Sequence, residues 1–549
     1  VSVHVVWEPL MEGCNRGVLD QAIIERLIAG RHRAPCWPDF VHHDALADVP
    51  DAEGAVVVLP ARHHTSLDDL RRINEVTASL PWLLLILNGD EEHTFPYGHI
   101  EHPNMRLWVQ TPDATRTYPP GTRYLANGPA PLAYDTPWGD RTRDVALLAQ
   151  DTHARRHECA DAVQAILDTG RPGHLTRTAG FTQGVEPAEY MALMASARVC
   201  PAPSGPVCVD SFRAWEAMEL GATPVLDGHL PDGTSQATYW QRVIGTPPPA
   251  LFVVRDWQSF LPWMMGEALS WPGTASRAAA WWQRYQRDMA HNLVADLRDL
   301  GAPIPDPSVD DQITVLMPTS PIPSHPSTAV IEETIDSVRA QLPRAEILVM
   351  CDGIRPAQEH YRPAYEAYLY ELVRLCREKW SNVLPIIHGE HRHQSGMTWH
   401  ALNVVTTPTI LFVEHDCPIR GDIPWAAITN AVRGDRADVV RLHHEASVLP
   451  VHEYLMDGPD EDVAGVRMRP TRQWSQRPHV ARTAYYRDIL RDNFGSDEKW
   501  MVEDRMHSVA QSDPGAHHLW ILTEPNGEHG IKYSWHLDGR GDDSKWVDE

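Results

Sequence analysis

Short apolar runs rich in Val, Leu and Ile alternate along this chain with stretches of helical spacing, and that alternation leaves few folds open. Val3–Trp7, Ala55–Leu59, Trp82–Leu87 and Met105–Val109 read as strands buried on both faces, with helical patterns such as Val18–Ala29 and Leu67–Ser79 between them. Strands of that kind, joined by helices, build parallel sheets with crossover connections. A second run starts near Asp144, with strands over Val145–Ala149, Arg198–Pro201 and Thr223–Leu226 and helices over His153–Thr169 and Ser211–Leu220. A long amphipathic helix, Thr274–Leu300, closes it. The segment GAPIPDPSVDD, residues 301–311, is too rich in proline for a helix or a central strand and suits an exposed linker. A fresh strand, Ile313–Met317, follows at once. The expected fold class is α/β, with two Rossmann-like lobes over 1–143 and 144–300, a linker over 301–311 and one further α/β domain over 312–549. A chain of 549 residues has room for that many units.

Charge narrows the partners. The formal net charge is −26, which repels phosphate backbones and anionic lipid at long range. Lysine occurs only at 379, 499, 532 and 545, so Arg supplies nearly all the positive charge. One basic strip interrupts the acidity: Arg467, Arg469, Arg472, Arg477 and Arg482. The opening residues VSVHVVWEPLMEG lack the pattern of a signal peptide, and the longest apolar run, Pro81–Leu87, is too short to span a bilayer. The eight cysteines form no CxxC pair and read as reduced thiols, which points to a cytoplasmic protein.

Three acidic features stand out after residue 312. The strand Glu346–Cys351 ends in Asp352-Gly353, where a carboxylate can serve a turn or accept hydrogen bonds from a base or ribose. The strand Ile410–Val413 delivers Glu414, His415 and Asp416 at its tip. Two carboxylates there are costly to bury unless a cation compensates them, either Arg420 or a hard divalent ion on a diphosphate. In WMVEDRMHSVA, residues 500–510, Glu503 and Asp504 occupy a first helical turn. They suit the helix dipole, and one of them could equally serve as a general base. The histidine pairs His391/His393 and His443/His444 lack partners at zinc-site spacing.

Taken in order, these features resemble the family 2-like glycosyltransferases with the GT-A fold. The resemblance runs from the loop VLMPTSPIPSHPS (315–327), through Asp352, Gly396, Ala401 and Asn403 and the DXD-like EHD (414–416), to QWSQRPHVARTAYYRDIL…VEDRMH (473–507). It implies a nucleotide-diphosphate-sugar donor contacted by Pro318, Thr319, Asp352 and Glu414. It also implies Mn²⁺ or Mg²⁺ on Asp416 with His536 or His529 as a further ligand. Asp504, with Glu503 as its competitor, would deprotonate an acceptor hydroxyl and give inversion at the anomeric carbon. Sugar nucleotidyltransferases share the fold but carry GxGTR-type loops where this chain reads PTSPIPS.

Residues 198–226, RVCPAPSGPVCVDSFRAWEAMELGATPVL, open a helix with Asp210, Ser211 and Arg213, followed by Glu216 and Glu219. A helix N-terminus beside an Arg can hold a diphosphate, and the same residues also suit an N-capped amphipathic helix. The segment resembles the exostosin-type glycosyltransferases of GT-B fold. That implies donor contacts from Ser211, Arg213 and Glu216, in a second transferase unit or in a lobe kept for binding or assembly. Trp257, Trp263, Trp271, Trp281 and Trp282 are expected to fill the interface between lobes. The reading is a two-module, bifunctional glycosyltransferase acting on a carbohydrate, protein or modified-base acceptor. Two alternatives stand beside it: a transferase acting on modified bases in DNA, with the arginine strip as its contact, and a non-catalytic carbohydrate- or nucleotide-binding scaffold.

Overall fold

The computed structural model describes the chain except residues 1, 8–17, 51–52, 61–66, 90–95, 114, 181–183, 244–251, 268–270, 444–447, 449, 496–497, 524–532 and 538–549. It divides into two compact units, Val1–Pro305 and Asp306–Glu549. No helix among the described residues is long and apolar enough to cross a membrane. The α/β class holds throughout, with two all-parallel sheets in the first unit and one mixed sheet in the second.

The first sheet contains β1 (Ser2–Trp7), β2 (Asp39–His43), β3 (Ala55–Pro60), β4 (Leu83–Asn88), β5 (Met105–Gln110) and β6 (Arg123–Leu125). Their order is β2-β1-β3-β4-β5-β6. The second contains β7 (Arg143–Gln150), β8 (Gly173–Thr178), β9 (Ala197–Ala202), β10 (Thr223–Asp227) and β11 (Phe252–Val254), in the order β11-β10-β9-β7-β8. Central strands are apolar on both faces, as β4 (LLLILN) shows, because helices cover both sides of a parallel sheet. The edge strands β2 and β8 are half-exposed and polar, DFVHH and GHLTRT, and have no apolar run to betray them.

The helix Trp271–Leu300 joins the two sheets of this unit through polar tips on buried rings. Trp108 in β5 donates its indole N–H to Asp296 at 2.8 Å, and Trp282 donates to Glu219 at 2.7 Å. Trp282 also lies 5.0 Å from Trp215, centroid to centroid. Large aromatics with one polar atom can fill such a seam when that atom finds an acceptor, as both do here. Trp257 is equally buried, so these tryptophans belong to the packing of the unit. The helix stops at Gly301, whose φ of +81° only glycine adopts without strain. Ala302 then packs back onto the core.

In the second unit the strands are β12 (Ile313–Thr319), β13 (Glu346–Cys351), β14 (Val383–Ile387), β15 (Thr409–Phe412), β16 (Val439–Arg441), β17 (Glu461–Val463), β18 (Val466–Thr471), β19 (His479–Arg482) and β20 (Leu519–Leu522). They are ordered β14-β13-β12-β15-β19-β16-β20-β18-β17. The first four are parallel, whereas β19 runs antiparallel to both β15 and β16. From β12 the chain winds outward through β13 and β14, then returns to place β15 on the other side of β12. That reversal opens a crevice at the carboxyl ends of β12 and β15, where open α/β sheets bind ligands.

Asp227, at the end of β10, is fully buried and illustrates how this fold tolerates an interior charge. Arg155 grips both of its oxygens, and the Ser204 N–H at 3.2 Å, the His229 N–H at 3.1 Å and the Trp257 indole at 3.2 Å complete its shell. Removing the cation strands the carboxylate. Arg155→Leu should therefore destabilise the 1–305 unit by about 3–5 kcal/mol, read as an earlier transition in urea unfolding.

Candidate active site

The crevice beside β12 is lined by chain that leaves three parallel strands in succession. The Asp352 N–H donates to the Thr319 carbonyl at 2.9 Å, and the His415 N–H to that of Pro318 at 3.3 Å. Pro318 and Thr319 thus form the buried end of β12, and the Thr319 hydroxyl meets that of Tyr368 at 3.1 Å.

Asp352 is 2% exposed. Its carboxylate accepts the N–H groups of Gly353 at 2.9 Å, Arg392 at 2.6 Å and His393 at 3.1 Å, and His391 Nδ1 lies 2.7 Å away. The acid caps the helix His393–Leu402, satisfying donors that a helix start leaves open. Gly353 has a steric cause: a β-carbon there would sit 2.1 Å from the carbonyl carbon of Glu390. The helix start is thereby clamped against the end of β13.

Past β15 the backbone turns sharply, with the Cys417 N–H donating to the Glu414 carbonyl at 3.0 Å. The turn brings side chains 414, 416 and 417 to one point, and the segment 533–537 lays His536 over them. Leu537 N–H reaches the Asp416 carbonyl at 2.6 Å, and Arg420 N–H reaches that of Tyr533 at 2.9 Å. His536 Nε2 lies 3.4 Å from Asp416 Oδ2. Ligand atoms of Glu414, Asp416, Cys417 and His536 all fall within 4.8 Å of one another, the only such gathering among the described residues. The set offers carboxylate, imidazole and thiol donors at divalent-cation spacing, so the residues fit a metal ion. His529 lies outside the described residues.

Burial pushes the Glu414 carboxyl up to about 8, with the charges of Asp416 and Glu503 adding to the rise and a hydrogen bond from Gln394 opposing it. Burial, then the charges of Asp416 and Glu414, raises the Cys417 thiol as well, with Arg477 opposing the rise. Two glutamines extend the site. Gln394 donates to Glu414 at 3.1 Å, while its carbonyl accepts from Gln476 Nε2 at 2.8 Å and from the Val502 N–H at 2.9 Å. The Gln476 N–H donates to Glu503 at 2.8 Å. One amide chain thus connects the end of β15, the helix His393–Leu402, the loop before β19 and the helix Val502–Ser512. Glu503 joins this network, whereas the neighbouring Asp504 is exposed. Sequence reading missed Gln394, Gln476 and Cys417, because only the spacing of a glutamine to the cluster distinguishes it from any surface amide.

The arginine strip is largely neutralised. Arg467 pairs with Asp460 at 2.9 Å, Arg469 with Glu453, Arg472 with Asp457, and Arg482 with Asp435 and with Asp438 at 2.5 Å. Arginines already matched by carboxylates offer little net attraction to a phosphate backbone.

In the first unit, Ser211 caps the helix Phe212–Glu219 by position only, its hydroxyl buried without a hydrogen-bond partner. Arg213 donates to the Leu148 carbonyl at 2.9 Å. Glu216 is 3% exposed and accepts the Tyr190 hydroxyl at 2.6 Å, and burial raises its carboxyl. Asp210 is likewise closed, by Trp215, Tyr239 and the Asn127 N–H. The structure therefore does not gather Arg213 and Glu216 at an open surface.

No protein-family model matches the chain, and no curated protein does. Solved structures with some likeness include S. aureus TarS 1-349, at 17% identity over 41% of this chain and 60% of that one, with a TM-score of 0.26. GalNAc-T7 with UDP, GalNAc and Mn²⁺ is 11% identical over 43% of this chain and 46% of its own, with a TM-score of 0.28. The mannosyltransferase PcManGT from Pyrobaculum calidifontis, in complex with GDP-Man and Mn²⁺, is 14% identical over 40% and 58%, with a TM-score of 0.24. The chain spans less than two thirds of the length of each.

The raised Glu414 carboxyl gives a signed expectation. The folded state keeps its proton to about pH 8 while the unfolded chain loses it near the ordinary value of about 4.3, so this contribution falls as pH rises between the two. In EDTA, thermal melts should show Glu414→Gln gaining stability relative to wild type from pH 5 to pH 8 and levelling off above.

Proposed function

We propose that the 306–549 unit is a glycosyltransferase of GT-A type that moves a sugar from a nucleotide-diphosphate donor to an acceptor hydroxyl with inversion. The observation that carries this reading is the convergence of Glu414, Asp416 and His536 with Glu503 at the sheet's reversal crevice. The order of motifs along the sequence, from the proline loop to EHD to Glu-Asp, supports it independently.

Glu414, Asp416 and His536 would hold a divalent ion, which when bound offsets the charge of the donor diphosphate. The chain's own residues do the rest. Asp352 and the helix it caps form the wall on the β13 side, where the base of the nucleotide would lie. Pro318 and Thr319 set the floor. Gln394 orients Glu414, and the Gln476 N–H holds one oxygen of Glu503, whose other oxygen would meet the acceptor. Glu503 then takes the proton of the acceptor hydroxyl as its oxygen attacks the anomeric carbon, and the bond to the diphosphate breaks on the opposite face. Asp504 is the alternative base. Its exposure favours Glu503.

The two parallel sheets of the 1–305 unit support a GT-B-like, exostosin-type architecture. The inward engagement of Arg213 and Glu216 favours a structural role for them, so a second donor site rests on Ser211 alone. The neutralised arginine strip weighs against a DNA acceptor. The seven described cysteines are buried and form no disulfide with one another, which suits a reducing cytoplasm.

The test is a panel of nucleotide sugars assayed for donor hydrolysis and thermal stabilisation, with Mn²⁺ and with EDTA. One or two donors should give a metal-dependent shift, and Asp416→Ala should abolish it while the protein stays folded. Absence of any shift would favour the binding-scaffold reading and end this one. Glu503→Gln should lower turnover by about 10²–10⁴-fold while donor binding persists, and Asp504→Asn should have a small effect. The reverse pattern would move the base to Asp504.

A further inference from the structure

A pair of strand-end carboxylates and a histidine would suffice for an oxygen-rich site suited to Mg²⁺. Here a sulfur sits among them. The turn that carries the Cys417 N–H to the Glu414 carbonyl also returns the Cys417 side chain to the side occupied by residues 414 and 416. Its S–H donates to Asp416 Oδ1 at 3.7 Å, so the sulfur lies beside the same carboxylate that His536 approaches from the other oxygen. Cys417 is 3% exposed and borders the core, so bulk water does not compete for its sulfur.

We propose that Cys417 is a thiolate ligand of this centre, making it a mixed O, N, S site that selects Zn²⁺ or Co²⁺ over Mg²⁺. The inference rests on the reading of residues 414–416 and 536 as a metal site. Bonds of about 2.0–2.3 Å to nitrogen, oxygen and sulfur place the ligand atoms of a tetrahedral site about 3.3–3.8 Å apart. A four-residue set whose atoms all lie within 4.8 Å of one another needs only a small contraction to reach that. Mg²⁺ demands six oxygens in near-octahedral array and gives up its water reluctantly, whereas imidazole and thiolate suit Zn²⁺ and Co²⁺. On binding, the sulfur lone pair forms the bond to the ion and the thiol proton leaves to solvent. No oxidation state changes.

The experiment uses the full chain, freed of metal with EDTA and then titrated with Co²⁺, Zn²⁺, Mn²⁺ or Mg²⁺. Co²⁺ should produce a near-ultraviolet thiolate-to-metal charge-transfer band that disappears in Cys417→Ser, in Cys417→Ala and in Asp416→Ala. Zn²⁺ and Co²⁺ affinity should fall by at least roughly tenfold in the two Cys417 variants, a loss that even outer-shell partners of a metal can cause. Far-ultraviolet circular dichroism and a cooperative thermal melt like those of the unsubstituted chain show that these variants fold. A band that survives in the Cys417 variants comes from another cysteine and overturns the proposal. Co²⁺ binding that depends on Asp416 yet shows no band overturns the thiolate alone. Failure of every divalent ion to bind overturns the metal site and the thiolate with it.

Discussion

A carboxylate at the mouth of a sheet cannot be dehydrated and charged without help, and the second unit is organised around that conflict at Glu414. Its strand, β15, is fully buried, so the side chain that follows is delivered into a poorly solvated crevice beside two other acids. Transfer of an unpaired charge into such surroundings costs several kcal/mol, and the group answers by holding its proton or acquiring a cation. Among the described residues, only Gln394 offers it a side-chain hydrogen bond. The crevice therefore has an electrostatic demand that a divalent ion would meet. Much of the surrounding architecture keeps that demand in place.

Asp352 exerts its influence from a distance. By accepting the N–H groups at the start of the helix His393–Leu402, it fixes the helix N-terminus to the end of β13. Gly353 permits the close approach that this requires. Gln394 is the second residue of that helix, and its position beside Glu414 follows from the cap. Ser395, next along, holds the loop ahead of Glu503 by donating its hydroxyl to the Glu498 carbonyl at 2.9 Å and its N–H to that of Trp500 at 3.1 Å. A single capping acid thus aligns the residue that orients one carboxylate and the loop that presents another. An interaction that looks purely structural determines the geometry of the site.

The central strands were legible because both faces are apolar, and their periodicity has one physical meaning. The edges were not. β2 and β8 pair on one side only and carry His, Asp, Arg and Thr, so nothing in their composition separates them from loops. At the site, Glu414, Asp416 and Glu503 could be singled out because acids at strand and helix ends are costly without a reason. Gln394 and Gln476 carry no charge, and only three-dimensional adjacency gives them meaning. His536 was reachable as a late histidine. That it is carried to Asp416 by backbone pairing of 533–537 with 416–420 is a property of the fold alone. The acids of DSFRAWEAME in the first unit stay ambiguous in sequence for the opposite reason: a helix N-terminus with Arg and Glu looks the same on paper whether its side chains face a ligand or the core.

The two units contrast in how they treat acids: those of the first are structural, and those of the second are candidates for a site. Asp210, Glu216, Glu219 and Asp227 in the first unit are as buried as any group in the protein. Each is met by protein donors: indoles for Asp210, Glu219 and Asp227, tyrosine hydroxyls for Asp210 and Glu216, and a guanidinium for Asp227. Their hydrogen-bonding capacity is met from within, which ties strands to helices but leaves little to offer a ligand. Glu414 lies under the negative charge of both Asp416 and Glu503, and Gln394 is the side chain that donates to it among the described residues. Burial alone therefore does not mark a functional carboxylate. On the proposed reading, what sets Glu414 apart is burial beside other acids with a neutral amide as its donor, a balance that a bound cation would shift.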